Sequence, residues 1–94
     1  MSDTPTHSKT ITISNKLGLH ARAAAKFVKT VMKHDAELTV QRGSLTANGR
    51  SILGLMMLAA TKGSQITLNA KGEDALKVIE ALTELIQQKF GEEA

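Results

Sequence analysis

Apolar and polar residues alternate over positions 9–14, with Ile11 and Ile13 on one side and Thr10, Thr12 and Ser14 on the other. That period of two predicts a half-buried strand. The alternation returns at 37–42 through Leu38 and Val40, at 44–48 through Leu45 and Ala47, and at 65–70 through Ile66, Leu68 and Ala70. Gly43-Ser44, between the second and third runs, suits a tight hairpin with glycine at its first central position. Helical spacing fills the intervals. A first helix is expected from Ala21 to Lys33, with Ala24, Phe27, Val28, Val31 and Met32 on one side. A short second helix is expected from Ser51 to Ala59, with Ile52, Leu55, Met56 and Ala59 inward. The third runs from Asp74 to Phe90, with Ala75, Ile79, Leu82 and Ile86 in one stripe and Val78, Leu85 and Phe90 beside it.

The element order is strand, helix, strand, strand, helix, strand, helix. One-sided alternation in every strand means that one sheet face meets helices and the other meets water. That predicts an α+β fold, a two-layer sandwich on an antiparallel sheet. With 94 residues the chain makes a single domain, placed at 9–90, with a flexible tail over 1–8 and a frayed end over 91–94. The chain has no cysteine, which excludes disulfides and thiolate metal sites. Its polar N-terminus does not read as a signal peptide, so the expected location is cytoplasmic. A net charge of +3 and two aromatic residues, Phe27 and Phe90, argue against a nucleic-acid partner. No cofactor, metal site or membrane insertion is expected, and the chain reads as a monomer.

Chemistry concentrates at Gly18-Leu19-His20-Ala21-Arg22-Ala23. His20 falls at the start of the first helix, where unpaired N–H groups and a partial positive charge make an anion site. The same field biases the imidazole toward its neutral, nucleophilic form. Such a histidine can take up a phosphoryl group, with N–H donors waiting for its oxygens. Arg22 breaks a helix rule, since a cation in a first turn is unfavourable, and such violations are expected at functional sites. Its guanidinium would pair with phosphate oxygens. The residues alone leave open that His20 is an ordinary surface side chain.

Gly18-Leu19-His20-Ala21-Arg22 resembles the phosphorylation motif of the HPr family, the phosphocarrier proteins of the bacterial phosphotransferase system. Arg50-Ser51-Ile52-Leu53-Gly54-Leu55 resembles the family's second signature. Lys62-Gly63-Ser64 resembles the turn into its last strand, and Gly72-Glu73-Asp74-Ala75 the entry to its final helix. The resemblance implies a four-stranded sheet in order 1-4-2-3 with three helices on one face. It implies enzyme I as donor, an enzyme IIA domain as acceptor, and a phosphoryl group on His20 Nδ1 held by Arg22 and the amides of Ala21, Arg22 and Ala23. Such a chain is a relay with a phosphohistidine intermediate rather than a stand-alone enzyme. Ala23 stands where the family usually has proline, which bears on the geometry of the site and not on the chemistry. A nitrogen-related branch of the family (NPr) shares the histidine motif, with a regulatory acceptor.

Ser51 is well placed to cap the second helix. The resemblance adds that serine here is a regulatory phosphorylation site in members controlled by an HPr kinase/phosphorylase. Leu53 and Met57 fall off the inward stripe of that helix and read as partner-docking groups beside His20. Arg22, Lys26, Lys29 and Lys33 share one side of the first helix. Of these, Arg22 and Lys26 would steer acidic partners, with Lys26 a docking residue. His7, in the tail, and His34, at a helix end, read as structural or incidental. A small ligand- or nucleic-acid-binding module of the same layout leaves Arg22 unexplained and lacks stacking aromatics. A pure regulator working through Ser51 leaves His20 unexplained.

Overall fold

A computed structural model of the chain describes residues 4–94. The elements are β1 (Thr6–Thr12), α1 (Ala21–Val31), β2 (Glu37–Arg42), β3 (Leu45–Asn48), α2 (Ile52–Met57), β4 (Gln65–Lys71), α3 (Ala75–Gln87) and a 3-10 turn at Lys89–Gly91. The four strands form one sheet in the order β1-β4-β2-β3, and every neighbouring pair is antiparallel. This is the expected two-layer α+β sandwich. The hairpin closes at Gly43-Ser44, where Gly43 takes φ +59 between the paired residues Arg42 and Leu45.

The core lies between the sheet and the helices. Val40, Ile66 and Leu68 rise from the sheet to meet Phe27, Val31, Leu55, Val78, Leu82 and Ile86, all shielded from water. Burying each such side chain stabilises the fold by about 1.5–3 kcal/mol. The far face of the sheet is polar, and its strands are stitched by hydroxyl and amide contacts. Ser8 Oγ donates to Asn69 Oδ1 at 2.9 Å, and the Thr10 and Thr67 hydroxyls lie 2.9 Å apart.

Several expectations need correction. β1 begins at Thr6, so residues 6–8 are strand and not tail, and His7 pairs with Ala70. The first three residues of that expected tail lie outside the described ones. α1 stops at Val31, which leaves Met32 outside the helix and exposed. Leu45 is on the inward face, as its pairing with Arg42 and the burial of Ala47 two residues on require, yet it is 49% exposed. The helix layer does not reach that far. α2 has six residues, and only Leu55 within it and Leu58 just beyond it reach the core. Ile52, Met56 and Ala59, expected inward, are exposed because α2 lies at the edge of the layer against α1 and β3.

The end of the chain departs furthest from expectation. α3 stops at Gln87, and Lys89 and Phe90 both take φ +56 before Gly91 at φ +77. Left-handed backbone is unfavourable for residues with a Cβ. Here it swings the Phe90 ring into the core, where it is 1% exposed. Residues 91–94, expected to fray, fold back instead, and the Lys16 N–H donates to the Ala94 carbonyl at 2.9 Å.

Candidate functional site

The loop from Ile13 to His20 carries the chain from the sheet to α1. Gly18 takes φ +68, and its missing Cβ would lie 2.4 Å from the Ala60 carbonyl oxygen. Only glycine fits, because both the dihedral and the close approach exclude a side chain. The neighbouring Leu19 N–H donates to that same carbonyl at 2.9 Å, locking the loop to the segment after α2. Asn15 is fully buried beneath the loop. Its amide Nδ2 donates to the Gly18 carbonyl at 2.8 Å and to Glu92 Oε1 at 3.0 Å. Two acceptors on that side fix the amide's orientation, since a reversed amide would face oxygen with oxygen.

His20 is the N-cap of α1, with extended backbone (φ −81, ψ −177), and its carbonyl accepts the first helical bond from the Ala24 N–H at 2.8 Å. Its Nδ1 accepts from the Arg22 N–H at 3.3 Å. A nitrogen that accepts carries a lone pair, so the ring proton belongs on Nε2. Nε2 lies 2.5 Å from Glu92 Oε2, to which it donates. The side chain of His20 is 26% exposed and that of Glu92 13%. Burial opposes charge on the Glu92 carboxyl, but hydrogen bonds from His20 and Asn15 and the charge of Lys26 outweigh it and hold its pKa below the usual value.

The structure thus presents an imidazole with one nitrogen held by a carboxylate and the other, unprotonated, turned toward the start of a helix. A tetrahedral oxyanion group on Nδ1 would sit among first-turn amides at the positive end of the helix. Ala21 and Arg22 are exposed there, whereas Ala23 is completely buried. Ala23 packs under the site, and Ala21 and Arg22 are the first-turn residues that reach the surface. Among the described residues the Arg22 guanidinium makes no ion pair, which leaves its donors open to an incoming anion.

Lys26 differs from expectation. It is partly buried, and its Nζ donates to the Phe90 carbonyl at 2.5 Å, so it ties down the C-terminal turn instead of standing free for docking. Leu53 and Met57 are 68% and 71% exposed on α2. Leu17, in the loop before His20, is exposed as well, at 64%. Ser51 caps α2, its Oγ accepting from the Gly54 N–H at 2.9 Å. His34 Nδ1 donates to the Thr30 carbonyl at 2.8 Å, a local tether at the end of α1. Among the described residues no three His, Asp or Glu side chains cluster as metal ligands, and no helix is long and apolar enough to cross a membrane.

Glu92 and Leu17 are the site residues that sequence reasoning missed. Leu17 was readable as an apolar residue inside a turn. Glu92 was not, because nothing in an acidic end signals a left-handed turn through Lys89 and Phe90.

Known proteins match this geometry over most of the chain. Residues 7–88 match the family described as the PTS HPr component phosphorylation site. The phosphocarrier protein HPr of Neisseria meningitidis serogroup A is 49% identical over 84 residues, spanning 89% of this chain and 94% of the relative. The phosphocarrier protein NPr of Shewanella violacea is 46% identical over 82 residues, 87% of this chain and 90% of the relative. The crystal structure of HPr-C-His from Thermoanaerobacter tengcongensis superposes with a TM-score of 0.89 at 43% identity, covering 94% of this chain and 99% of that one. A sheet in this strand order, a histidine capping the first helix and matches that span nearly the whole chain lead to one conclusion: the chain belongs to the HPr family of phosphocarrier proteins.

Proposed function

We propose that this protein accepts a phosphoryl group from phospho-enzyme I on Nδ1 of His20 and passes it to an enzyme IIA domain. The observation that carries the reading is the N-cap geometry of His20, which turns an unprotonated Nδ1 toward the amide of Arg22. In the transfer, the Nδ1 lone pair attacks phosphorus and the donor leaves with the electron pair of its own bond. The new oxygens are received by the amides of Ala21 and Arg22 and by the Arg22 guanidinium, all in place before the reaction. Return of the group to an acceptor reverses these steps.

Leu17, Leu53 and Met57 form the apolar docking surface for both partners. Ser51 is the regulatory phosphorylation site: a phosphate there would replace the cap contact to Gly54 and add negative charge beside the docking groups. A second reading places the protein in the nitrogen-related branch. It is favoured by the NPr relative, whose 46% identity stands close to the 49% of the HPr relative. Transfer rates to sugar-specific and nitrogen-related enzyme IIA domains would separate the two.

The test is incubation with enzyme I, magnesium and labelled phosphoenolpyruvate. Acid-labile, base-stable label that disappears in His20→Ala is expected. Absence of label, or label that survives the substitution, refutes the proposal. For Ser51, an HPr kinase with ATP is expected to give acid-stable label that is lost in Ser51→Ala.

A further inference from the structure

The backbone beyond α3 is bent at a cost. Lys89, Phe90 and Gly91 all have positive φ, and two of them carry side chains that disfavour it. Three contacts fix the resulting turn: the buried Phe90 ring, the Lys26 ammonium on the Phe90 carbonyl, and the Lys16 N–H on the Ala94 carbonyl. Glu92 stands between these anchors, and both of its carboxylate oxygens are engaged, one by His20 Nε2 and one by the buried amide of Asn15. A surface carboxylate held by two donors on a chain pinned at both ends is a fixed part of the site.

We propose that Glu92 is a positioning residue for phosphoryl transfer, holding the proton on Nε2 so that Nδ1 alone is the nucleophile and, later, the leaving group. The inference rests on the phosphocarrier reading above. Its chemistry balances without an added base. Attack by Nδ1 forms the N–P bond while the bond from phosphorus to the donor breaks. The ring, still protonated at Nε2, gains positive charge, which the Glu92 carboxylate offsets. When an acceptor attacks phosphorus, the N–P electron pair returns to Nδ1 and the ring leaves as the same neutral tautomer. No proton has to enter or leave the imidazole in either direction.

The groups around Glu92 are consistent with this role. The hydrogen bonds from His20 and Asn15 and the charge of Lys26 favour its ionised form. From α1 comes Lys26, and α2 carries no charged residue. A carboxylate beside a cation stays ionised and available to the imidazole.

The test uses the intact chain with Glu92→Ala and Glu92→Gln, and Glu93→Ala as a surface control. In nitrogen-15 NMR of the unphosphorylated protein, the His20 Nε2–H resonance should be protected from exchange in wild type and in Glu93→Ala, and lost to exchange in Glu92→Ala. Glutamine keeps an acceptor and should retain a weakened resonance. With enzyme I, Glu92→Ala should lower kcat roughly tenfold at unchanged KM, as expected for loss of one charge-assisted hydrogen bond. Glu92→Gln should fall between. An unaltered Nε2–H resonance in Glu92→Ala, or a kcat that matches wild type, overturns the proposal alone. A wild-type protein that takes no label overturns the phosphocarrier reading and this proposal with it.

Discussion

Replacing Gly18 by alanine tests how firmly the loop before His20 is braced against the segment after α2. The new Cβ would lie 2.4 Å from the Ala60 carbonyl oxygen and 2.9 Å from Thr61 Cα, both backbone atoms. The carbonyl cannot swing aside freely, because it also accepts the Leu19 N–H at 2.9 Å. Left-handed φ costs an alanine about 1–2 kcal/mol, and forcing backbone apart in a packed region adds about 1–3 kcal/mol, for a total of about 2–5 kcal/mol. Gly43→Ala supplies the comparison. Gly43 has a similar φ of +59, but nothing lies within 4 Å of where its Cβ would be. Only the backbone cost of about 1–2 kcal/mol then applies. Urea and thermal unfolding monitored by circular dichroism would measure both variants. At 4–8 °C per kcal/mol for a domain of this size, Gly18→Ala should melt at least about 8 °C below wild type. A loss equal to that of Gly43→Ala would refute the reasoning, since the Ala60 contact would then add nothing.

Other substitutions probe the remaining parts of the account. Ser51→Ala removes the oxygen that accepts the Gly54 N–H and should cost about 1 kcal/mol in the same unfolding assay. The Glu92 carboxyl titrates below its usual range, because the bonds from His20 and Asn15 and the charge of Lys26 outweigh the effect of burial. Its contribution to stability is therefore complete above the unfolded-state pKa and is lost as pH falls through the lower folded-state value. Glu92→Gln should flatten the acid limb of a stability-against-pH curve there and leave its alkaline limb unchanged. The double variant Leu53→Ala, Met57→Ala alters two exposed side chains, so stability should stay within about 1 kcal/mol while KM for phospho-enzyme I rises and kcat holds.

Most of the fold was legible because the strands alternate cleanly and the core positions recur at helical spacing. Ile66, Leu68 and Ala70, and Phe27, Val28 and Val31, all lie where their spacing puts them. Periodicity reports which side of an element a residue occupies, however, and not how far the opposing layer extends. Leu45 has the inward parity and still meets water, and Ile52 and Met56 flank a buried edge only two residues wide. The strand order came from resemblance to a family, as it had to, since alternation carries no pairing information. At the site, His20 and Arg22 were readable because both break local expectations, a histidine as N-cap and a cation in a first turn. Glu92 was hidden because its position depends on the left-handed backbone of Lys89 and Phe90, where the Phe90 ring is buried far along the chain from the elements it packs against. Lys26 was readable as a cation but not as a clamp, for the same reason: its partner is a carbonyl 64 residues away.

The central claim is that Nδ1 of His20 is the phosphoryl carrier, with Nε2 holding the proton. Nitrogen-15 NMR of the protein labelled at its histidines, phosphorylated by enzyme I and phosphoenolpyruvate, tests it most directly. The account predicts that one histidine changes, with phosphorus coupling at Nδ1 and a proton retained on Nε2. Coupling at Nε2, or at His7 or His34 in place of His20, would contradict it.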